Sequence, residues 1–365
     1  MTSGREIVVV MRGGSFGVED ERPGPVTIHG LPAMRRLRRE LSDAGFTVTT
    51  DMRVRADPAA IFWDFGSVAV LPRALRRFAP QRAIAWSLES PLVAHRGYHR
   101  LPQIAEMSAH VLGYPGVGGL VQDRRERFSE IRWPTEARAP SISPTPWEER
   151  RPVVMINSNK RAHHGLAAST LRRPYSSARV LAAAALARSY PLRGSWTVPD
   201  LYDERLRALT HFAFSENVDL FGVGWDGPIA GVNAEAADAI ASRYRGRVAD
   251  KHQVLGGYRF ALCFENTIFP GYVTEKILDC FLSGVVPVYL GAPDITSYVP
   301  SDAFIDMRNF TGYPELEEFL RTLSSEDGAG YLSAADRFLD SDGFSEFDSA
   351  RFVEKVLAAV GRVAL

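Results

Sequence analysis

Residues Tyr258 to Gly291 read YRFALCFENTIFPGYVTEKILDCFLSGVVPVYLG, and this stretch decides the architecture of the chain. Phe260, Ala261, Leu262, Cys263 and Phe264 form a short unbroken apolar run, and Val285 to Leu290 forms a second, each about the length of a strand buried on both faces. Between them Ile277, Leu278, Phe281 and Leu282 recur at helical spacing. Thr274 stands where an N-cap is wanted and Gly284 where a left-handed C-cap is wanted, so the spacing predicts a helix whose first turn carries Thr274, Glu275 and Lys276. Strand, helix and strand make a βαβ unit. Its helix starts at the carboxyl end of a parallel strand, which is where open α/β sheets bind ligands. Unpaired N–H groups and the positive end of the helix dipole favour an anion there, and Lys276 adds a full charge. The plainer reading has Glu275 complementing the dipole and Lys276 solvated, but Asn266 and Tyr272 converge on the same end. A diphosphate suits this pocket.

Upstream, the first half alternates strand and helix: strands at Ile7 to Met11, Phe46 to Thr50, Ile61 to Phe65 and Ala83 to Leu88, helices at Met34 to Ala44, closed by Gly45, and at Leu71 to Phe78. Such alternation argues for a doubly wound parallel sheet. Residues 138–152, rich in Pro and Ser, lack periodicity and read as a linker. The pattern then resumes with VVMIN from Val153, VDLFGVGW at 218–225 and FIDM at 304–307. The expectation is an N-terminal α/β domain over 1–137, a linker over 138–152 and a C-terminal α/β domain over 153–340. Over 341–365, a helix with the stripe Phe352, Val353, Val356, Leu357 and Val360 is expected to pack back on the first domain.

With 365 residues, 45% of them hydrophobic, the chain can bury a large core. Its 43 basic and 43 acidic side chains cancel, which argues against a nucleic-acid groove or an acidic polymer as partner. Arg35, Arg36, Arg38 and Arg39 fall on the polar side of the helix marked by Met34, Leu37 and Leu41, as a solvated face. The start, MTSGREIVVVM, runs straight into a strand, and no apolar run approaches the roughly 20 residues that span a bilayer. A cytoplasmic protein is expected, with Cys263 and Cys280 as reduced core residues. The Ala- and Arg-rich composition suggests a bacterium of high genomic GC content.

Four motifs in order, F-x-x-x-F-E-N at Phe260, G-Y-V-T-E-K at Gly271, V-P-V-Y-L-G at Val286 and F-I-D-M-R-N-F at Phe304, resemble the donor-binding signature of the α-1,3/4-fucosyltransferases, glycosyltransferase family ten. The resemblance is densest over residues 250–310 and thins upstream to about residue 84. It implies a GT-B arrangement, two Rossmann-like doubly wound α/β domains with an interdomain cleft, and an inverting transfer of L-fucose from GDP-fucose to a hydroxyl of a glycan or glycoside. Protein glycosylation or glycan biosynthesis would be its setting. Neither a cofactor nor a metal site is required, although a divalent cation could assist the diphosphate.

Such a transfer needs a carboxylate to take the acceptor's proton and positive charge for the departing diphosphate. Glu89, in AIAWSLESPLV, follows a strand, and Pro91 disfavours helix at Ser90, so Glu89 is expected at the carboxyl edge of the first sheet. Glu-Ser-Pro is similar to the family segment that carries the general base. Arg205, in LYDERLRALTHF, matches the family position L-Y-x-x-R whose guanidinium binds the diphosphate, a planar fork suited to two phosphate oxygens. Ser158 and Asn159 resemble the family's S-N pair at nucleotide or phosphate. Asn266, Tyr272, Thr274, Glu275 and Lys276 complete the donor set, Tyr272 and Glu275 by the family's contacts to ribose or sugar. FGVGW at 221–225 matches Y-G-x-G-W, with Gly222 and Trp225 taken as mainly structural. The chain departs from the family pattern between Asn159 and Tyr202, where an Ala-rich helix is expected around Val180 to Ala187.

Other signals are set aside. Arg12 to Gly17 is Gly-rich but has neither G-x-G-x-x-G nor a Walker lysine, Asp340-Ser341-Asp342-Gly343 reads as a turn rather than a metal-holding D-x-D, and His163-His164 are adjacent and share no helix face. The rival readings are the same fold with another GDP-sugar, a non-catalytic nucleotide-sugar-binding protein, and a nucleotide-sugar epimerase.

Overall fold

The computed structural model describes residues 6–10, 31–49, 57–136, 145–159 and 201–364. The Gly-rich loop at Arg12 to Gly17, His163-His164, the Ala-rich stretch near Val180 and residues 138–144 lie outside the described residues. The chain folds as two compact units. One comprises residues 1–137, 269–275 and 345–365, and the other residues 138–268 and 276–344.

The first unit is built on a six-stranded sheet in the order β2-β1-β3-β4-β5-β6, with β1 at Glu6–Val10, β2 at Thr47–Thr49, β3 at Ala60–Asp64, β4 at Ala83–Trp86, β5 at His110–Gly113 and β6 at Phe128–Glu130. Every pairing is parallel. The apolar runs make this possible: Ile7 to Val10, Ala60 to Trp63 and Ala83 to Trp86 are buried throughout, as strands covered on both faces must be. The helix Leu31–Asp43 turns Ala33, Met34, Leu37 and Leu41 into the core. The helix Ser349–Ala364 adds Phe352, Val353, Val356, Val360 and Val363 to the same cluster.

One expected helix is absent. Residues 73–78 form successive turns, closed by bonds such as Leu75 N–H to Pro72 O and Phe78 N–H to Leu75 O, before a four-residue helix at Ala79–Arg82. Leu71 and Leu75 are both buried, but two apolar anchors in a stretch bearing Arg73, Arg76 and Arg77 are too few to stabilise a helix whose nucleation is itself unfavourable.

The second unit has a five-stranded, wholly parallel sheet in the order β11-β10-β9-β7-β8. Its strands are β7 at Arg151–Ile156, β8 at Val218–Phe221, β9 at Tyr258–Phe264, β10 at Val286–Leu290 and β11 at Ile305–Asp306. The helix Glu275–Leu282 joins β9 to β10. It ends where Gly284 adopts a φ of 64°, with Gly284 N–H bonded to Phe281 O and Val285 N–H to Cys280 O. That pair of bonds is a Schellman motif, in which glycine carries the left-handed conformation without a side-chain clash. The core gathers Phe260, Leu262, Phe264, Val286, Val288 and Phe212.

Candidate active site

In the second sheet β7 and β9 are neighbours, with β8 beyond one and β10 beyond the other, so the winding reverses between them. Ligands of open α/β sheets bind at the carboxyl ends of the strands at such a point. Arg205, on the helix Tyr202–Phe214, is 3% exposed and reaches this place. Its Nε and Nη2 donate to the Phe264 carbonyl at 3.2 and 2.6 Å, Nη2 also to Asn266 Oδ1 at 3.0 Å, and Nη1 to Asn157 Oδ1 at 3.3 Å. Tyr202, one turn earlier, puts its ring 4.8 Å from the guanidinium carbon, within cation–π range. These acceptors are neutral oxygens, which orient the fork without themselves cancelling its charge.

Asn157 was not among the expected site residues. It directly follows β7, one position before Ser158, and the end of β8 with its following loop holds it: Trp225 Nε1 donates to the Asn157 carbonyl at 2.6 Å, and Asn157 N–H bonds to Phe221 O at 2.9 Å. Gly222, at a φ of 139°, passes so close that a Cβ there would fall 1.9 Å from that carbonyl oxygen. Asn159 is buried and bound to the same loop, its amide donating to Gly224 O at 3.0 Å and its N–H to Val223 O at 2.8 Å. Ser158 lies between them, half-buried. The sequence signal for Asn157 was its place at the carboxyl end of a buried strand, the position the sheet reserves for ligand-facing groups.

Lys276 Nζ lies 2.9 Å from Glu265 Oε2, and the Glu265 side chain is wholly buried while that of Lys276 is 19% exposed. The sequence reading counted Lys276 as charge added for a ligand; the structure shows it compensating a buried carboxylate first. Glu265 also went unremarked, although a carboxylate directly after a buried strand requires a counter-charge and Lys276 stands in the first turn of the next helix. Around the pair, burial and then the Glu265 charge push the Tyr289 phenol well above its ordinary range. Cys263 and Cys280 are free, buried thiols; burial foremost, then its bond with Cys280, raises Cys263 strongly.

Thr274 is buried and immediately precedes the helix that Glu275 opens, where Glu275 and Lys276 are half-buried. Tyr272, 2% exposed, belongs to the segment 269–275 of the first unit and stands edge-on to Tyr114, ring centroids 5.1 Å apart. In that unit Glu89 lies three residues beyond β4, half-buried, its N–H bonded to Ser87 Oγ at 3.2 Å. Asp64, at the carboxyl end of the adjacent β3, is raised above the usual carboxylate range, mainly by burial. The structure thus gathers Arg205, Asn266 and Asn157 into one bonded group, and sets Glu89 at a strand end of the other sheet.

Among the described residues no group of His, Cys, Asp or Glu could hold a metal ion, and Asp340 and Asp342 flank the junction of two helices. No described helix is long and apolar enough to cross a membrane.

Residues 203–333 match the family model for the C-terminal part of glycosyltransferase family 10 (fucosyltransferase). The alpha-(1,3)-fucosyltransferase FucT of Helicobacter pylori is 32% identical over 112 residues, covering 30% of this chain and 23% of that protein. The GDP-fucose protein O-fucosyltransferase 3 of Homo sapiens is 39% identical over 77 residues, covering 21% of this chain and 16% of that protein. The chain therefore aligns with less than a quarter of the length of these relatives. Of solved structures, an alpha1,3-fucosyltransferase with GDP superposes at a TM-score of 0.50 with 14% identity, over 99% of this chain and 92% of the other. Anabaena Alr3699/HepE with UDP superposes at 0.53 with 13% identity, over 98% and 99%. At such identities the likeness speaks for the fold alone, two parallel-sheet α/β domains of the GT-B glycosyltransferases. Through residues 203–333 the chain is similar to the C-terminal part of the family 10 glycosyltransferases, the fucosyltransferases.

Proposed function

We propose that this protein transfers L-fucose from GDP-fucose to a hydroxyl of a glycan or glycoside with inversion at the anomeric carbon. The observation that carries this is the bonded group of Arg205, Asn157 and Asn266 at the switch point between β7 and β9, with Arg205 and Asn266 inside the region that matches the fucosyltransferase model. A buried, oriented guanidinium there suits the diphosphate of a nucleotide sugar. The start of the helix Glu275–Leu282 offers backbone N–H groups to the same kind of anion. The names of the relatives supply the sugar and the nucleotide; the fold by itself does not, since its neighbours include one bound to GDP and one bound to UDP.

In this reading the acceptor oxygen attacks the anomeric carbon as its proton passes to the Glu89 carboxylate. The bond from that carbon to the diphosphate oxygen breaks, its electron pair leaves with GDP, and Arg205 stabilises the charge that builds there. Ser158, Asn159, Tyr272, Thr274, Glu275 and Lys276 are assigned to the donor. Lys276 acts there as half of its pair with Glu265, so its share of the positive field is smaller than a lone lysine's.

Thermal unfolding with GDP, GDP-fucose, GDP-mannose and UDP-glucose tests the donor, because a ligand at about 100 times its dissociation constant stabilises by roughly 2.7 kcal/mol. A rise with GDP and GDP-fucose, followed by transfer to a glycoside panel, supports the reading. No guanosine-specific rise would overturn it, and conversion of GDP-fucose without an acceptor would move the assignment to an epimerase.

A further inference from the structure

Two tyrosine hydroxyls of the first unit donate to consecutive backbone carbonyls just past β4: Tyr114 to Leu88 O at 2.9 Å and Tyr98 to Glu89 O at 2.9 Å. Tyr98 lies in the helix His95–His99, nine residues beyond Glu89, and Tyr114 follows β5. Both are buried, Tyr114 completely and Tyr98 to 5% exposure. Burial, reinforced by the charges of Glu89 and Asp64, drives the Tyr98 phenol far above its ordinary range, so it stays a protonated donor.

The same two rings face the segment 269–275 of that unit. Tyr98 meets Phe269 edge-on with centroids 5.7 Å apart at 87°, and Tyr114 meets Tyr272 at 5.1 Å and 81°. The backbone joins in where Gly116 N–H donates to Pro270 O at 3.1 Å, and at Gly271 a Cβ would fall 2.3 Å from Pro115 Cδ. A phenylalanine would fill either volume equally well. What tyrosine adds is a directed bond that fixes one carbonyl, and the two carbonyls so fixed are those of Glu89 and the residue before it.

We propose that Tyr98 and Tyr114 are positioning residues that lock the backbone at Glu89 to the segment 269–275, so that the assigned base and the residues leading into Thr274 are held by one aromatic frame. This deepens the functional reading above and rests on it for the role of Glu89. The linkage itself is a property of the first unit and is measurable without substrate.

Hydrogen exchange on Tyr98→Phe, Tyr114→Phe and Phe269→Leu tests it. The hydroxyl deletions are expected to speed exchange at the amides of Tyr272 and Val273, and Phe269→Leu at those of Glu89, Val93 and Ala94, by about tenfold each. Exchange that changes only on the side of the substitution overturns the linkage, whether or not the protein transfers fucose. In turnover, each hydroxyl deletion should lower kcat by about ten- to a hundredfold with the GDP-fucose KM within about twofold. In a Glu89→Gln background the same deletions should cost less than about twofold more. Full additivity in that background would assign the tyrosines to general stability instead. Absence of GDP-fucose turnover in the wild type would remove the functional reading, with the exchange data still deciding the linkage.

Discussion

Lys276 and Glu265 form an ion pair of 2.9 Å in which the carboxylate has no solvent exposure at all. They stand eleven positions apart in the chain, just after β9 and just inside the next helix, with the whole 269–275 segment between. Removing one partner of a buried pair leaves an uncompensated charge, which costs about 3–5 kcal/mol, whereas removing both is close to neutral. Lys276→Met is therefore expected to lower the unfolding free energy by that amount, read as a lower urea midpoint at unchanged m, and Lys276→Met with Glu265→Gln to restore most of it. Equal losses in the single and double variants would mean that the pair does not govern stability here. Loss of donor binding in a Lys276 variant is interpretable only after this correction.

Arg205→Lys keeps the charge but loses the fork that serves Phe264 O, Asn266 and Asn157 together. GDP affinity, read by calorimetry, should fall at least about tenfold, or ~1.4 kcal/mol. Affinity equal to wild type would take Arg205 out of the donor site.

Glu89→Gln preserves shape and the backbone bonds, the N–H donated to Ser87 and the carbonyl accepting from Tyr98. Transfer should drop by about 10²–10⁴ in kcat, the usual range for general-base loss, while GDP affinity and Tm stay at wild-type values. An unaltered kcat would assign the base elsewhere, and Asp64 would be the next carboxylate to substitute.

His110 on β5 is 2% exposed, 2.9 Å from Ser129 Oγ, and its pKa is lowered to about 4, by burial first and then by Arg362. In the unfolded chain it titrates near 6.5, so between pH 6.5 and about 4 the unfolded state holds more protons and stability falls as the pH drops. The contribution is fully present above pH 6.5 and amounts to at most about 3 kcal/mol, lost by pH 4. His110→Gln should flatten Tm against pH across that window; an identical slope would place the acid sensitivity in other groups.

Periodicity made the helix Glu275–Leu282 legible, because Ile277, Leu278 and Phe281 repeat on one face and Gly284 stops it. The buried strands of both sheets were readable for the same local reason, and the two-sheet class followed from their alternation with helices. What stayed hidden depends on contacts far apart in sequence. β5 and β6 read HVLG and FSE, neither an unbroken apolar run, so no local pattern marks them. The pairing of Glu265 with Lys276 and the reach of Arg205 to Asn157, 48 residues away, appear only once β7 and β9 lie side by side. Tyr98 and Tyr114 carry no sequence signal, since nothing in their neighbourhood names the carbonyls they bind.

The helix Ser349–Ala364 sets an order of events during synthesis. Its residues finish a core whose remaining members, Ile7 to Ile131, emerge from the ribosome first, and the entire second unit is made in between. The earlier-made sheet must therefore wait, its apolar face over Ile7, Phe62, Ile84 and Trp86 lacking this cover, until residues 349–364 have been made. A chaperone that shields exposed apolar strands has most to do in that interval, and translation speed through the second unit becomes a determinant of yield for the first.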